Sequence, residues 1–381
     1  MYFKKVFLFP IFIIFLFTAC KKETSKSDLP FNTENSSVKK GDAQPATVSV
    51  YYEGLISPRG LEFGPNGNLY VAEAGNGGPT SSTMFGCEQV PFPIGPYMGS
   101  PTGARISMIT PGGVRTTITD QLPTSRANEI IGGDAEGVAD VAFVGNTLYA
   151  VIAGGGCSHG VPSVPNQVIK VNQNGSWSTV ANLSSWLQNH PVKNPEEDDF
   201  EPDGTPYSMV NVKGDLYVIE PNHGDLIKVT TGGDITRVVD ISASQGHIVP
   251  TAMAYHGNFF VGNLHPFPIV EGSSKILKIN PGGQVKDWAT GLTTILGLAF
   301  DQRDRLYVLE NTVVAFSPNP LPGLGQIVRI EPNGNKVTIA TGLSLPTGMT
   351  MGPDGNLYVS NKGFGPPILG PGQILKVTLN N

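Results

Sequence analysis

Residues 348–361 read Gly-Met-Thr-Met-Gly-Pro-Asp-Gly-Asn-Leu-Tyr-Val-Ser-Asn, and this stretch contains the pattern that decides the fold. Two short runs rich in apolar residues flank a turn that contains Asp-Gly. Glycine supplies the positive φ that a tight hairpin requires, so the stretch predicts two antiparallel strands. The same strand–turn–strand unit occurs six times. Its second strand carries Leu-Tyr-Val or a close variant at residues 69–71, 148–150, 216–218, 259–261, 306–308 and 357–359.

Each unit continues with a third strand, a second tight turn and a fourth strand, as residues 276–288 and 327–339 show most clearly. Four antiparallel strands per unit are typical of a β-propeller blade. The last unit stops after its third strand, and residues 48–51 resemble a fourth strand. The N-terminal strand is therefore expected to complete the last blade and close the ring, which removes exposed sheet edges. The sequence predicts an all-β, six-bladed β-propeller over residues 46–381.

The N-terminal segment predicts export and attachment to a membrane. Lys4 and Lys5 precede an apolar run that ends in Phe-Thr-Ala before Cys20, which resembles a bacterial lipoprotein signal over residues 1–20. Cys20 is then the expected lipidation site, and an ordinary cleaved signal peptide is the alternative. Residues 21–45 contain almost no large apolar side chains and predict a flexible tether. The expected location is the bacterial cell envelope, on its periplasmic or its outer surface.

The charge of the chain argues against one class of partner. The formal net charge is −6, and no stripe of Lys or Arg runs along the sequence. Nucleic-acid-binding proteins neutralise phosphates with such stripes, so nucleic acid is not an expected partner.

Long insertions fall on one side of the predicted ring. They follow second strands at residues 74–103, 154–166, 264–273, 312–325 and 362–372, and one leads into a first strand at residues 182–204. In a propeller these two classes of connection emerge on the same face of the disc, here called the looped face. Since loops on a rigid scaffold usually carry function, the site is expected on the looped face.

Polar residues concentrate on the looped face at corresponding blade positions. The end of second strands carries carboxylates and amides, and the start of first strands carries a further set at Arg59, Asp134, Glu136, Asp203, His247 and Thr251. Oxygen ligands around a channel suit Ca²⁺, and this predicts a metal site formed by Glu73, Glu220, Asn222, Asn263 and Glu310. The alternative is structural, because polar groups at strand ends also cap backbone amides.

Three histidines on the looped face are candidates for catalysis. His223, His247 and His265 could act as general acid and base, or could bind Zn²⁺. No short metal-binding spacing links them, so ordinary surface histidines are the alternative.

Two cysteines lie in equivalent loops of neighbouring blades. Cys87 and Cys157 could pair in an oxidising compartment, although the sequence does not give their separation. Residues 156–160 read Gly-Cys-Ser-His-Gly and match the G-x-S-x-G pattern of serine hydrolases. That chemistry requires a strand-to-helix turn, and here the match lies in a glycine-rich loop between strands, so it is read as a coincidence.

The propeller resembles the ScyD/ScyE family, exported proteins named for biosynthesis of the pigment scytonemin. The resemblance rests on residues 58–64 with 70–75, on Pro-Tyr-Ser-Met at 206–209, on residues 262–268 and on 297–300 with 306–310. It implies the fold and export, and it implies no reaction. The chain departs from the family pattern at residues 220–224 and at 265–266, both on the looped face.

The sequence is compatible with two functions. The first is a non-catalytic module that binds a small molecule, a glycan or a protein on the looped face. The alternative is a metal-dependent hydrolase or lyase of the lactonase-like propeller kind, which uses Ca²⁺ or Zn²⁺ at the mouth of the channel.

Overall fold

The computed structural model describes residues 46–131, 133–195, 200–315, 320–364 and 369–380. The predicted signal peptide over residues 1–20, the predicted lipidation site Cys20 and the predicted tether over residues 21–45 lie outside the described residues. Among the residues that are described, no helix is both long enough and apolar enough to cross a bilayer.

Strands form nearly all of the regular structure of the described residues. In chain order they are β1 (Thr47–Leu55), β2 (Pro58–Phe63), β3 (Leu69–Glu73), β4 (Thr80–Ser81), β5 (Met98–Ile109), β6 (Arg115–Arg126), β7 (Ala135–Glu136), β8 (Val138–Val144), β9 (Thr147–Ile152), β10 (Gln167–Val171), β11 (Trp177–Asn182), β12 (Ser208–Val212), β13 (Asp215–Glu220), β14 (Asp225–Val229), β15 (Ile235–Asp240), β16 (Pro250–Tyr255), β17 (Phe259–Asn263), β18 (Ser274–Ile279), β19 (Val285–Leu292), β20 (Ile295–Phe300), β21 (Leu306–Glu310), β22 (Gly325–Ile330), β23 (Lys336–Leu343), β24 (Gly348–Met351), β25 (Leu357–Asn361) and β26 (Gly372–Thr378). The helical elements are short: α1 (Leu183–Asn189), α2 (Ser242–Gln245) and 3₁₀ turns at Ser82–Phe85 and Glu129–Ile131.

The strands form six antiparallel sheets, one for each blade. Blade one is β2-β3-β5-β6, to which the short strands β4 and β7 add. Blades two to five are β8 to β11, β12 to β15, β16 to β19 and β20 to β23, each in simple sequential order. Blade six has the order β24-β25-β26-β1, with Val48 opposite Val377. The N-terminal strand therefore closes the ring, and the prediction of a six-bladed propeller is confirmed.

Local sequence explains the hairpin of blade six. Gly355 has a φ of 73°, which a side chain would disfavour, and its N–H donates to the carbonyl of Gly352 at 2.9 Å. The Asp354 carboxylate accepts from the backbone N–H of Asn356 at 3.2 Å. The turn thus satisfies its own polar groups and leaves β24 and β25 in register.

The hydrophobic core lies between neighbouring blades. Between blades four and five, for example, Phe260 and Ile276 pack against Leu298 and Val308, and all four side chains are buried. Removing a side chain of this size from water contributes about 1.5 to 3 kcal/mol, so each blade depends on the next for its stability.

Side chains of the inner strands link the blades around the central channel. Glu62 of blade one accepts from the N–H of Phe143 in blade two at 3.1 Å, and Asp140 of blade two accepts from Met209 N–H in blade three at 2.9 Å. The Tyr207 hydroxyl of blade three crosses the channel and donates to the carbonyl of Thr347 in blade six at 2.6 Å. Tyr207 therefore links blades three and six across the channel.

Candidate functional site

A cavity of about 310 Å³ opens on the looped face at the mouth of the channel. Residues from several connections line it, drawn from the stretches 93–97, 127–137, 201–207, 249–251 and 264–267. Its walls are mostly apolar and include Ile94, Leu264, Phe267 and Leu296. The cavity lies on the face to which the sequence assigned the site.

A second cavity of about 420 Å³ lies on the other side of Tyr207, between the inner strands. Glu62 and Asp140 face this lower cavity. Burial raises the pKa of Glu62 to about 7 and that of Asp140 to about 8, although backbone N–H groups donate to both carboxylates. The lower cavity is therefore lined by two carboxyl groups that hold their protons unusually strongly.

Polar groups reach the upper cavity at two places, and the first is an ion pair between blades one and two. Arg59 Nη2 lies 2.6 Å from Asp134 Oδ1 and also donates to the carbonyl of Ala135. Burial raises the pKa of Asp134 to about 6; the Arg59 charge opposes this shift and Glu136 adds to it. With an arginine on one of its oxygens, Asp134 already has a strong partner within the protein.

The second polar group consists of Glu136, His159, Glu201 and Tyr97. His159 Nε2 lies 2.9 Å from Glu136 Oε2 and 3.5 Å from Glu201 Oε2. The Tyr97 hydroxyl lies 3.1 Å from Glu136 Oε1 and 2.9 Å from Glu201 Oε1, so it hydrogen-bonds to both carboxylates. Glu136, Glu201 and Tyr97 line the cavity, and His159 lies behind them without exposure to solvent.

The loop that carries His159 is held in place on both sides. A disulfide joins Cys157 to Cys87, with 5.8 Å between the Cα atoms. The next residue, Ser158, donates to Asp203 Oδ2 from its backbone N–H at 3.0 Å and from its hydroxyl at 2.8 Å. The ring of Tyr97 packs against the imidazole, with 4.6 Å between their centroids. The imidazole of His159 is therefore packed in a loop that is anchored at the two preceding residues.

Burial and mutual charge set the protonation of this group. Burial alone would lower the pKa of His159, but the carboxylates of Glu136 and Glu201 outweigh it and hold the pKa well above its usual range. Burial raises the pKa of Glu201 to about 7, and the neighbouring Glu136 charge adds to the shift. The group therefore binds positive charge strongly.

The carboxylates predicted to bind metal each have structural partners. Fully buried Glu73 accepts from Ile56 N–H at 2.6 Å and pairs with Arg105 and Arg115, both at 3.0 Å. Glu220 accepts from the backbone N–H groups of Thr205 at 2.7 Å, Asn222 at 3.2 Å and His223 at 2.6 Å. Glu310 accepts from Thr293 N–H and from the Gln326 amide. Each carboxylate therefore caps the connection that enters its own blade.

The amides predicted to complete the metal site also bind backbone. Asn222 Oδ1 accepts from Glu201 N–H at 2.7 Å. Asn263 accepts from Lys275 N–H at 2.7 Å and donates to the Ile248 carbonyl at 2.8 Å. The structure does not bring the five predicted ligands together: among the described residues, the His, Cys, Asp and Glu side chains that converge as a possible metal-binding group are Glu136, His159 and Glu201.

The three predicted histidines lie apart from that group's ligand atoms. His223 is buried, and its Nε2 lies 3.2 Å from the carbonyl oxygen of Glu201. His265 has a φ of 84°, and its Nδ1 lies 2.8 Å from the carbonyl of Pro266. His247 is partly buried in the connection before β16.

Sequence reasoning missed His159, Glu201 and Tyr97. Glu136 was noted at the start of a first strand but was not placed in the site. The signal for His159 was its position two residues after Cys157, within the loop whose G-x-S-x-G match was set aside. The Ser158 hydroxyl donates to Asp203, so that serine is not paired with the neighbouring histidine as a nucleophile would be.

Comparisons with known proteins extend the description of the fold. No protein-family model matches this chain, and no curated protein matches its sequence. A Bacteroides thetaiotaomicron protein of unknown function is similar in structure, with 10% identity, 89% of this chain and 77% of that chain covered, and a TM-score of 0.54. A glucose dehydrogenase (14% identity, 88% and 100% covered, TM-score 0.51) and a gluconolactonase of Xanthomonas campestris (9% identity, 88% and 90% covered, TM-score 0.51) are also similar. At these identities the similarity shows the six-bladed propeller fold alone.

Proposed function

We propose that this chain binds a small molecule in the upper cavity, at the mouth of the propeller channel on the looped face. The observation that carries the proposal is the cavity itself: a space of about 310 Å³ with mostly apolar walls and two groups of convergent polar side chains. Small-molecule sites in proteins have this composition. A glycan or a protein partner would need a longer groove or an open surface, so the small molecule is the favoured ligand.

The charge around the cavity restricts the chemistry of the ligand. Asp134, Glu136 and Glu201 contribute carboxylates, and Arg59 and His159 are their cationic partners. Because each cation is already held by a carboxylate, an anionic ligand has no free partner in this set. An uncharged or cationic, mainly apolar molecule fits these walls best.

The remaining predictions about the setting of the site belong to the same proposal. Export, lipidation at Cys20 and a place in the bacterial cell envelope would put this binding site outside the cytoplasm. Kinship with the ScyD/ScyE family is likewise part of the proposal, and it is supported by the residues quoted for that resemblance.

A cavity-filling substitution tests the proposal. Leu264→Trp adds an aromatic ring to the cavity wall, whereas Leu321→Trp adds the same ring at a side chain that is 62% exposed. Compounds from a panel of uncharged and cationic small molecules should raise the unfolding temperature of the wild-type protein and of Leu321→Trp, and should fail to do so for Leu264→Trp. Binding that Leu264→Trp leaves unchanged would place the ligand elsewhere.

A second candidate function is a metal-dependent hydrolase or lyase reaction on a small molecule in the same cavity. It is favoured by the ligand atoms of Glu136, His159 and Glu201, which all lie within 4.8 Å of one another. A metal bound there would act as a Lewis acid or activate a water molecule. Tyr97 would hold the two carboxylates in position, and the apolar walls would exclude bulk water.

The test of the second candidate is turnover by metal-loaded protein. Simple lactones and esters are the substrates to screen, with Glu136→Gln as the site variant and Glu129→Gln, an exposed glutamate, as the control. Turnover that Glu136→Gln abolishes and Glu129→Gln retains would support catalysis. Saturable binding of a small molecule without any turnover would support the binding function and contradict catalysis.

A further inference from the structure

We infer that Glu136, His159 and Glu201 form a three-ligand site for a transition-metal cation of the zinc class, with its open coordination positions towards the upper cavity. This inference deepens the second candidate function by naming the cofactor class, and it does not depend on catalysis. It also moves the expected metal site from strand-end residues such as Glu73 and Glu220 to the rim of the cavity.

The spacing of the three ligand atoms fits one small cation. His159 Nε2 lies 2.9 Å from Glu136 Oε2 and 3.5 Å from Glu201 Oε2, and all three atoms lie within 4.8 Å of one another. Zinc binds nitrogen and carboxylate oxygen at about 2.0 to 2.2 Å, which places neighbouring ligands about 3 to 3.5 Å apart. The side chains need only small adjustments to hold an ion between them.

The same three atoms lack hydrogen bonds although they are buried. Glu136 Oε2, His159 Nε2 and Glu201 Oε2 are shielded from solvent and make no hydrogen bond of regular geometry, although they lie close to one another. His159 is fully buried and Glu201 is only 3% exposed. Buried polar atoms are nearly always satisfied, so three that face one another point to a shared partner. A metal cation would take the place of the proton on His159 Nε2 and contact all three atoms at once.

Neighbouring contacts hold the three ligands in position. The Tyr97 hydroxyl bonds to the Oε1 atoms of both glutamates, which turns their Oε2 atoms towards His159. The disulfide at Cys157 anchors the loop that carries the histidine, and Asn222 accepts from the Glu201 backbone. Metal sites depend on such supporting contacts to hold their ligands in place.

The choice of ligands selects the metal class. Ca²⁺ takes six to eight oxygen ligands, whereas this group offers two carboxylates and one imidazole. Imidazole nitrogen suits Zn²⁺ and its first-row neighbours, and three protein ligands with open positions are typical of catalytic zinc sites. The two carboxylates also balance the charge of a divalent ion.

Metal binding to the full chain tests the inference directly. The protein would be purified with a histidine-free tag, stripped with a chelator and dialysed against Zn²⁺, and bound metal would be measured by mass spectrometry. We expect about one equivalent per chain, with affinity reduced at least about 10-fold in Glu201→Gln and in Glu136→Gln. Co²⁺ should bind with the intense visible absorption of a low-coordinate site, and Ca²⁺ should not compete.

Controls separate the site from surface binding and from misfolding. His190→Gln removes an exposed histidine and should keep the full equivalent. The two glutamine variants should keep the circular dichroism of the wild type, because each retains the shape of the side chain. Less than a tenth of an equivalent in the wild type, or full binding in both variants, would overturn the inference. If the protein binds the metal but shows no turnover, only the hydrolase or lyase candidate is overturned. If it binds a small molecule but no metal, only the metal site is overturned.

Discussion

Two groups of buried carboxylates lie on the looped face, and they differ in what their oxygen atoms contact. Glu73 and Glu220 end the second strands of their blades and bind arginines or backbone N–H groups. Glu136 ends the short strand β7 and Glu201 lies in the connection into blade three, and one oxygen of each faces His159 without a hydrogen bond. We call the first pair the scaffold carboxylates and the second pair the cavity carboxylates.

The difference shows how to read polar residues in a repeat protein. A carboxylate that recurs at one position of several blades meets a need that every blade has, here the capping of the connection into its first strand. The cavity carboxylates do not recur, and they meet His159 only because three different loops converge. In this propeller, polar residues that occur in one blade only indicate the candidate site better than polar residues that recur in several blades.

The largest expected effect is a loss of stability when a scaffold carboxylate loses its charge. Glu73→Gln leaves Arg105 and Arg115 without their buried counter-charge, and we expect the free energy of unfolding to fall by about 3 to 5 kcal/mol. Glu201→Gln removes the repulsion from Glu136 but also one of the two carboxylates beside His159, and because these effects oppose each other, stability should change by less than about 1 kcal/mol. Urea unfolding in the presence of a chelator measures both values.

This pair of variants can break the comparison. If Glu201→Gln destabilises the protein as much as Glu73→Gln does, the cavity carboxylates are also part of the scaffold, and the division between the two groups is wrong.

The next effect concerns the disulfide that anchors the loop of His159. Cys87 and Cys157 are 70 residues apart in the sequence, so their bond restricts the unfolded chain strongly. Replacing both with serine should lower the free energy of unfolding by about 4 kcal/mol, and reduction of the wild type should have a similar effect. Because His159 follows two residues after Cys157, the variant should also bind Zn²⁺ more weakly. Unchanged Zn²⁺ affinity would mean that Asp203 and Ser158 hold the loop without the disulfide.

A smaller loss of stability is expected for scaffold carboxylates that pair with no arginine, and its size depends on how many backbone N–H groups donate to the carboxylate. Glu220 accepts from three backbone N–H groups, and an amide nitrogen in place of one oxygen would leave at least one of them unsatisfied. Glu220→Gln should therefore cost about 2 kcal/mol in urea unfolding. Glu310→Gln is the matched variant in blade five, where Gln326 can turn its amide to suit the new group, so its cost should stay below about 1 kcal/mol. Equal costs would show that capping alone does not set the stability of these connections.

The fold could be predicted from the sequence because its determinants are local and repeated. The Asp-Gly turn at residues 354–355 and the strand at residues 357–359 specify one hairpin, and five similar hairpins set the number of blades. The missing fourth strand after β26 also indicated that β1 closes the ring. Strand period and turn chemistry act over a few residues, and a single sequence shows them directly.

The candidate site could be predicted only as far as the looped face. Its members come from loops without a repeated pattern: Tyr97 and Glu201 are 104 residues apart, yet their side chains share a hydrogen bond. Which loop residues meet depends on the disulfide and on tertiary contacts of the kind that Ser158 makes with Asp203, and neither has a periodic signature. Strand-end positions were visible in the sequence, and for that reason the metal ligands were first sought among them.

The smallest expected effect is a pH dependence that arises in the lower cavity, at a third kind of carboxylate. The Glu62 carboxylate accepts from the backbone N–H of Phe143, and burial raises its pKa from 4.5 to about 7. The folded protein thus keeps the Glu62 proton to a higher pH than the unfolded chain does. Its contribution to stability is fully present below about pH 4.5 and is lost as the pH rises towards 7. Glu62→Gln cannot ionise, so its stability relative to the wild type should rise by about 1 to 2 kcal/mol between pH 5 and pH 7.5.

Urea unfolding of Glu62→Gln at both pH values tests this, with Glu53→Gln, an exposed glutamate of β1, controlling for the loss of one negative charge. A constant difference between Glu62→Gln and the wild type at the two pH values would contradict the raised pKa. The outcome also bears on the first comparison. Glu62 accepts a hydrogen bond from a backbone N–H, and Glu220 does the same. Unlike Glu73, Glu62 has no arginine paired with it among the described residues. If Glu62 resists ionisation, one N–H group is too little to hold a buried carboxylate charged, and Glu201, whose pKa burial also raises to about 7, is then expected to need a cation beside it.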